Sequence, residues 1–131
     1  MIAFFRRIGY NINERQVARM CTKNQLDEIC GKIVAFSKEI FGDKFQSVIL
    51  YGSYARGDYD EESDIDVMIM VDMSREELSA YRPIFSKFFS DMNLENGVFL
   101  TSKLQSKAYF NTWKHAMPFY QNVLREGVTY A

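Results

Sequence analysis

Two apolar runs separated by a glycine-bearing polar stretch constrain this chain more than any other feature. Phe45-Gln46-Ser47-Val48-Ile49-Leu50-Tyr51 reads as a buried strand that delivers the pair Gly52-Ser53 at its end. A second strand is predicted from Asp64 to Asp72, with Ile65, Val67, Ile69 and Val71 on one face and Asp64, Asp66, Met68 and Met70 on the other. Between them, Gly52 to Gly57 forms a tight turn entering a short helix, and Asp58 to Ser63 an acidic loop. The spacing of Asp64 and Asp66 puts both carboxylates on one strand face, with alpha carbons roughly 6.5–7 Å apart. Strands disfavour aspartate, so two on one face need a chemical reason. Convergent carboxylates hold hard cations such as Mg²⁺, and a Gly-Ser turn offers backbone donors to phosphate. The unit is therefore read as a site for a metal-bound nucleoside triphosphate.

A competing phosphate motif is excluded by its residues. Gly52 and Gly57 have P-loop spacing, but Asp58-Tyr59 stands where Lys-Ser/Thr belongs, so the lysine that reaches the terminal phosphates is missing. Arg56 is close enough in sequence to neutralise phosphate charge, and equally suited to a solvated helix surface. Asp58, Asp60, Glu61 and Glu62 are most simply a solvated loop.

The remaining elements follow from periodicity and caps. Ile8, Ile12, Val17 and Met20 line a weak short helix interrupted by Asn11 and Asn13. Asn24 is expected to cap a helix carrying Leu26, Ile29, Ile33, Val34 and Phe36 up to Phe41, closed by Gly42 in a left-handed conformation. Ser74 and Glu77 form a capping box before a helix with Leu78, Tyr81, Phe85, Phe88, Phe89 and Met92, where Pro83 implies a kink or a delayed start. Asn93 to Gly97 is a turn and Val98 to Leu104 a third strand. Ser106 caps a last helical region broken at Pro118 and ended at Gly127. The order predicts an α/β (α+β) fold, a small mixed sheet with helices on one face and an open cleft on the other.

Composition bounds what such a domain does. At 131 residues the chain is read as a single domain, and 47% hydrophobic residues with eleven Phe and eight Tyr fill a core. A net charge of −1 with no Lys/Arg run argues against a long nucleic-acid partner. Cys21 and Cys30 have no metal-site neighbours, which fits free thiols in a reducing cytosol. Nothing reads as a signal peptide or a membrane span, so a cytoplasmic location is expected. His115, the single histidine, and the aromatic series Tyr109, Phe110, Trp113, Phe119 and Tyr120 are expected to pack rather than react.

The segment from 48 to 72, with Gly52-Ser53, Ala55-Arg56-Gly57 and Ser63-Asp64-Ile65-Asp66-Val67, resembles the signature of the minimal nucleotidyltransferases of the DNA polymerase beta-like superfamily. The resemblance implies the small mixed sheet of that type without further domains. It implies that Asp64 and Asp66 bridge two Mg²⁺ ions while Gly52 and Ser53 contact the β- and γ-phosphates of ATP. It also implies transfer of AMP to an acceptor hydroxyl, often a tyrosine of a HEPN-type toxin neutralised by such a stand-alone domain.

One departure stands out. Many relatives add a third carboxylate on a neighbouring strand, and the expected register puts Phe99 there; the nearest acids are Asp91 and Glu95. Either Glu95 substitutes, or the acceptor supplies its own activation, or activity is weak or lost. Two alternatives stay open: transfer to a small molecule, as in antibiotic-modifying relatives, with a pocket shared across a homo-oligomer, and a nucleotide-binding partner module without turnover.

Overall fold

A computed structural model describes residues 21–131, and the weak helix expected over Ile8, Ile12, Val17 and Met20 lies outside them. The described chain runs α1 (Lys23–Phe41), a 3₁₀ turn (Gly42–Lys44), β1 (Phe45–Tyr51), α2 (Ser53–Arg56), β2 (Ile65–Val71), α3 (Arg75–Ser79), α4 (Arg82–Asn96), β3 (Leu100–Ser106), α5 (Lys107–Trp113), α6 (Pro118–Glu126) and β4 (Val128–Tyr130). The strands form one mixed sheet in the order β3-β2-β1-β4. β1 is antiparallel to both β2 and β4, and β2 is parallel to β3. The parallel pair requires a crossover, which α3 and α4 supply. The mixed α/β architecture is the one expected from the sequence.

Local chemistry accounts for most boundaries. Helix α1 begins two residues earlier than Asn24 suggests, because the Thr22 hydroxyl accepts the Gln25 N–H at 3.1 Å and Asn24 lies inside the helix. Both residues are short polar acceptors, so only the backbone decides between them. Gly42 closes α1 with φ of 58°, as expected, but with ψ of −129° it leads into the 3₁₀ turn rather than a left-handed helical cap. The capping box at Ser74 forms, its hydroxyl accepting the Glu77 N–H at 3.1 Å. The helix it starts is short, and α4 begins afresh at Arg82 with Pro83 in its first turn. The third strand spans Leu100–Ser106 rather than 98–104. Asn93 explains the shift: its side-chain oxygen accepts the Leu100 N–H at 2.8 Å and holds the chain off the ladder until that residue.

The sheet has two unequal faces. On one, Val48, Leu50, Ile65, Val67, Ile69 and Val71 join Ile29, Ile33, Phe85 and Phe89 of α1 and α4 in the main hydrophobic cluster. Phe36, Phe41, Phe85 and Phe88 stack across the helix pair, with Phe36 and Phe88 parallel at 4.0 Å between centroids. The other face, where the sequence reading placed the open cleft, also carries a smaller apolar layer. Met68 and Met70 pack under Phe110, Tyr120 and Val123 of α5 and α6, with Ile49, Tyr51 and Phe119 at the margin. That smaller layer covers the far end of the face. The end at which β2 and β3 begin and β1 stops is left for Asp66.

Candidate active site

Antiparallel pairing sets Tyr51, the last residue of β1, opposite Asp66 near the start of β2. Gly52 follows at once with φ of 78°, a conformation that L side chains rarely adopt. Its surroundings exclude a side chain as well. A Cβ at Gly52 would fall inside contact distance of the Asp66 Oδ2 and 3.3 Å from its Cγ. The turn and the carboxylate are thus in direct apposition. Ser53 opens α2, whose Ala55 and Arg56 N–H groups donate to the Gly52 carbonyl at 3.1 and 3.0 Å. Gly57, at φ of 86°, ends the helix by donating its N–H to the Ser53 carbonyl at 2.9 Å.

The second flank of Asp66 is β3. Parallel pairing aligns Ile65 with Leu100 and Asp66 with Thr101, and the Thr101 hydroxyl donates a hydrogen bond to the Asp66 Oδ1. The two carboxylate oxygens therefore face different neighbours, the Gly52 turn and Thr101. The residue beside Asp66 on β3 is this threonine; Phe99 precedes the strand, its carbonyl accepting the Ile65 N–H at 2.9 Å. No acid stands on β3, and among the described residues no group of three or more His, Cys, Asp or Glu side chains could hold a metal.

Asp64 lies half-buried just before β2, where the acidic loop ends. That loop is closed by its own side chains: the Asp60 carboxylate accepts the Glu62 N–H at 2.9 Å and the Ser63 hydroxyl at 3.2 Å. Asp60 thus shapes the approach to Asp64. Arg56 is engaged elsewhere, bonding Asp58 through Nε and Glu126 through Nη1, both at 3.1 Å. The paired Asp58 carboxylate, foremost, raises its already high pKa. From there it links α2 to α6, and contact with a phosphate would require it to exchange partners.

Tyr51 and Thr101 escape a reading of the sequence, because what brings them in is strand register. Tyr51 is half-buried, with its ring set edge-on to Phe119 at 5.4 Å. Burial, with the nearby Asp66 charge, pushes its phenol up to about 12. Tyr54 anchors α2 in the core; its hydroxyl accepts the Cys21 N–H at 3.2 Å and its ring stacks on Tyr59 at 4.2 Å. His115, expected to pack, is instead exposed. Of the aromatic series, Phe110 and Tyr120 are buried, whereas Trp113 is 45% exposed.

This arrangement suits a hard cation carried by an anionic ligand. Two carboxylates contribute oxygen donors only, and Mg²⁺ takes few protein ligands while completing its shell with water and substrate phosphates. The glycine turn lets a polyanion approach the backbone beside Asp66.

Comparison with known proteins agrees with the geometry. Residues 30–112 match the family described as a nucleotidyltransferase domain. Three Methanocaldococcus jannaschii proteins provisionally named as protein adenylyltransferases are also similar. One is 36% identical over 90 residues, covering 69% of this chain and 82% of that protein. Another is 60% identical over 47 residues, covering 34% of this chain and 48% of its own length. A third is 46% identical over 55 residues, covering 40% and 51%. The chain thus spans about half the length of two of these relatives and most of the other.

Proposed function

The chain belongs to the nucleotidyltransferase domain family, a family of enzymes of nucleotidyl transfer, and from that premise we propose that it moves AMP from ATP to an acceptor hydroxyl. The observation that carries this reading is the apposition of the Gly52 turn with the Asp66 carboxylate, which leaves no room for a Cβ between them. A glycine turn able to take phosphate beside a carboxylate able to hold a cation supports the binding of a metal-bound polyphosphate.

In this reading Asp64 and Asp66 hold Mg²⁺, two ions by analogy with the family, which when bound neutralises charge on the polyphosphate. Gly52 and Ser53 would cradle the β- and γ-phosphates. Arg56 would join them only after releasing Asp58 or Glu126. Thr101 keeps the Asp66 carboxylate turned toward the bound triphosphate through its hydrogen bond. The acceptor oxygen attacks the α-phosphorus, pyrophosphate departs, and the acceptor proton passes to solvent.

A hydroxyl in place of a third carboxylate bears on the acceptor. Thr101 cannot take a proton at neutral pH, so an acceptor whose own hydroxyl ionises readily is favoured. A tyrosine phenol answers that description better than an aliphatic alcohol. The names of the relatives point the same way, toward a protein acceptor. We place that tyrosine on a partner protein, a HEPN-type toxin, in the reducing cytosol where free Cys21 and Cys30 are stable.

The test is incubation of the purified chain with Mg²⁺, α-labelled ATP and lysate from its own source. A labelled protein band, absent with Asp64→Asn and Asp66→Asn, is the expected result, and its size identifies the acceptor. Label confined to small molecules would redirect the proposal to an antibiotic-type acceptor. Absence of label, with the toxin-like partner demonstrably present, would sink the transfer reading.

A further inference from the structure

Asp66 divides the site into two sides, and strand order states what each side offers. Toward β1, Oδ2 meets the Gly52-Ser53 turn; toward β3, Oδ1 meets Thr101. Displacement at phosphorus runs in line, so the attacking oxygen enters opposite the leaving group. With pyrophosphate departing over Gly52-Ser53, the acceptor enters on the β3 side. The side chains that β3 aims to the Asp66 face are set by register: Thr101 beside Asp66, Lys103 beside Met68 and Gln105 beside Met70. Gln105 is buried and committed to Tyr120, whose hydroxyl donates to its side-chain oxygen at 3.1 Å. Lys103 remains. It is exposed, sits one pleat from Thr101, and joins no ion pair among the described residues. Its ammonium rests over the Phe119 ring at 4.8 Å from the centroid, and Phe119 in turn meets Tyr51, the neighbour of Asp66.

We propose that Lys103 is the acceptor-side cation of this site, holding the incoming phenolic oxygen as it loses its proton. The inference rests on the nucleotidyl-transfer reading and adds to it a residue with a defined role. A carboxylate on β3 would act as a base; an ammonium on the same strand acts by stabilising the oxyanion instead. The acceptor O–H gives its proton to solvent and the oxygen bonds to the α-phosphorus. The bond from that phosphorus to the bridging oxygen breaks, and pyrophosphate leaves with the electron pair. Phe119 stations the ammonium beside the acceptor path through a contact that is easily given up. A flexible four-carbon stem gives Lys103 the reach to do so.

The experiment uses the full chain with Mg²⁺ and ATP, and N-acetyltyrosinamide as the acceptor probe. Thermal shift with Mg²⁺·ATP reports nucleotide binding, and labelled transfer to the probe reports acceptor use. Lys103→Ala is expected to keep its melting temperature and its Mg²⁺·ATP shift, and to lose about ten- to hundredfold in kcat/KM for the probe. Lys103→Arg should recover part of that loss. A loss appearing instead in the KM for ATP would put Lys103 on the leaving-group side and overturn the assignment. Unchanged transfer in Lys103→Ala would overturn it too, as would a wild type that binds Mg²⁺·ATP but labels no phenol. A wild type that gains no stability from Mg²⁺·ATP is a separate result, and removes the nucleotide reading on which the assignment rests.

Discussion

The two faces of β2 are made from alternate residues of one strand, yet they do different work. Ile65, Val67, Ile69 and Val71 are each 0% exposed and seated under α1 and α4 in the larger cluster. Asp66, Met68 and Met70 look the other way, the two methionines buried and the aspartate half-buried. The first face is bounded by two long helices and stacked phenylalanines. The second is covered by α5 and α6 only at its far end. A strand so divided places a half-buried carboxylate at a fixed height without exposing the core behind it. Stability belongs to one set of residues and chemistry to the other, and a single-residue slip of register would exchange them.

Substitutions sharpen that division in order of expected effect. Gly52→Ala should hit the chemical face hardest. The added Cβ meets the Asp66 carboxylate at a φ of 78°, and a displacement of that size at a reacting centre lowers transfer by about a hundredfold or more. Nucleotide-dependent thermal shift should shrink with it. Ile69→Ala, in the middle of the packed face, should cost about 2–5 kcal/mol in urea unfolding, while molecules still folded transfer at the wild-type rate. If Ile69→Ala instead reduced transfer in fully folded protein, the separation of the faces would fail.

Thr101→Val should have a smaller effect of about tenfold on transfer, since it removes one hydrogen bond to a charged group and leaves the volume almost unchanged. Thr101→Ser should restore it. The smallest effect concerns alkaline pH. Burial pushes the Cys21 thiol from its ordinary 9.0 to about 11 and the Cys30 thiol to about 12. The folded state then holds these protons more tightly than the unfolded chain does. Their contribution is complete below pH 9 and is lost as pH rises from there toward 12. Urea midpoints measured from pH 8 upward should fall accordingly, and Cys30→Ser should flatten the decline.

How much of this was legible in the sequence depended on range. The β1–turn–β2 unit was readable because its signals are local: alternation of apolar residues, glycine where φ is positive, aspartates two apart. The face predicted to carry Asp66, Met68 and Met70 is the one they share, with the methionines packed in the smaller cluster. What could not be read was the pairing of β2 with β3, which sets Thr101 beside Asp66 across 35 positions of sequence. No local pattern fixes that register, and Phe99 was one plausible choice among neighbours. The Arg56 bond to Glu126, 70 positions away, is hidden for the same reason. β4 went unread because three residues, Val128–Tyr130, carry too little periodicity to announce a strand. The cover that α5 and α6 give the second face depends on the chain turning back at Pro118, which composition marks as a break without giving its direction.

The measurement that bears most directly on the account compares wild type with Asp66→Asn in one preparation, recording labelled AMP transfer beside the melting temperature. Asn keeps the shape and the neighbours of Asp66 and removes only its charge. The account expects transfer to vanish and the Mg²⁺·ATP-dependent shift to go with it, while the melting temperature of the free protein holds within a few degrees. Transfer that survived the substitution would contradict the assignment of Asp66. So would a collapse of the free protein's stability, since that would make this carboxylate a structural group and the divided strand a misreading.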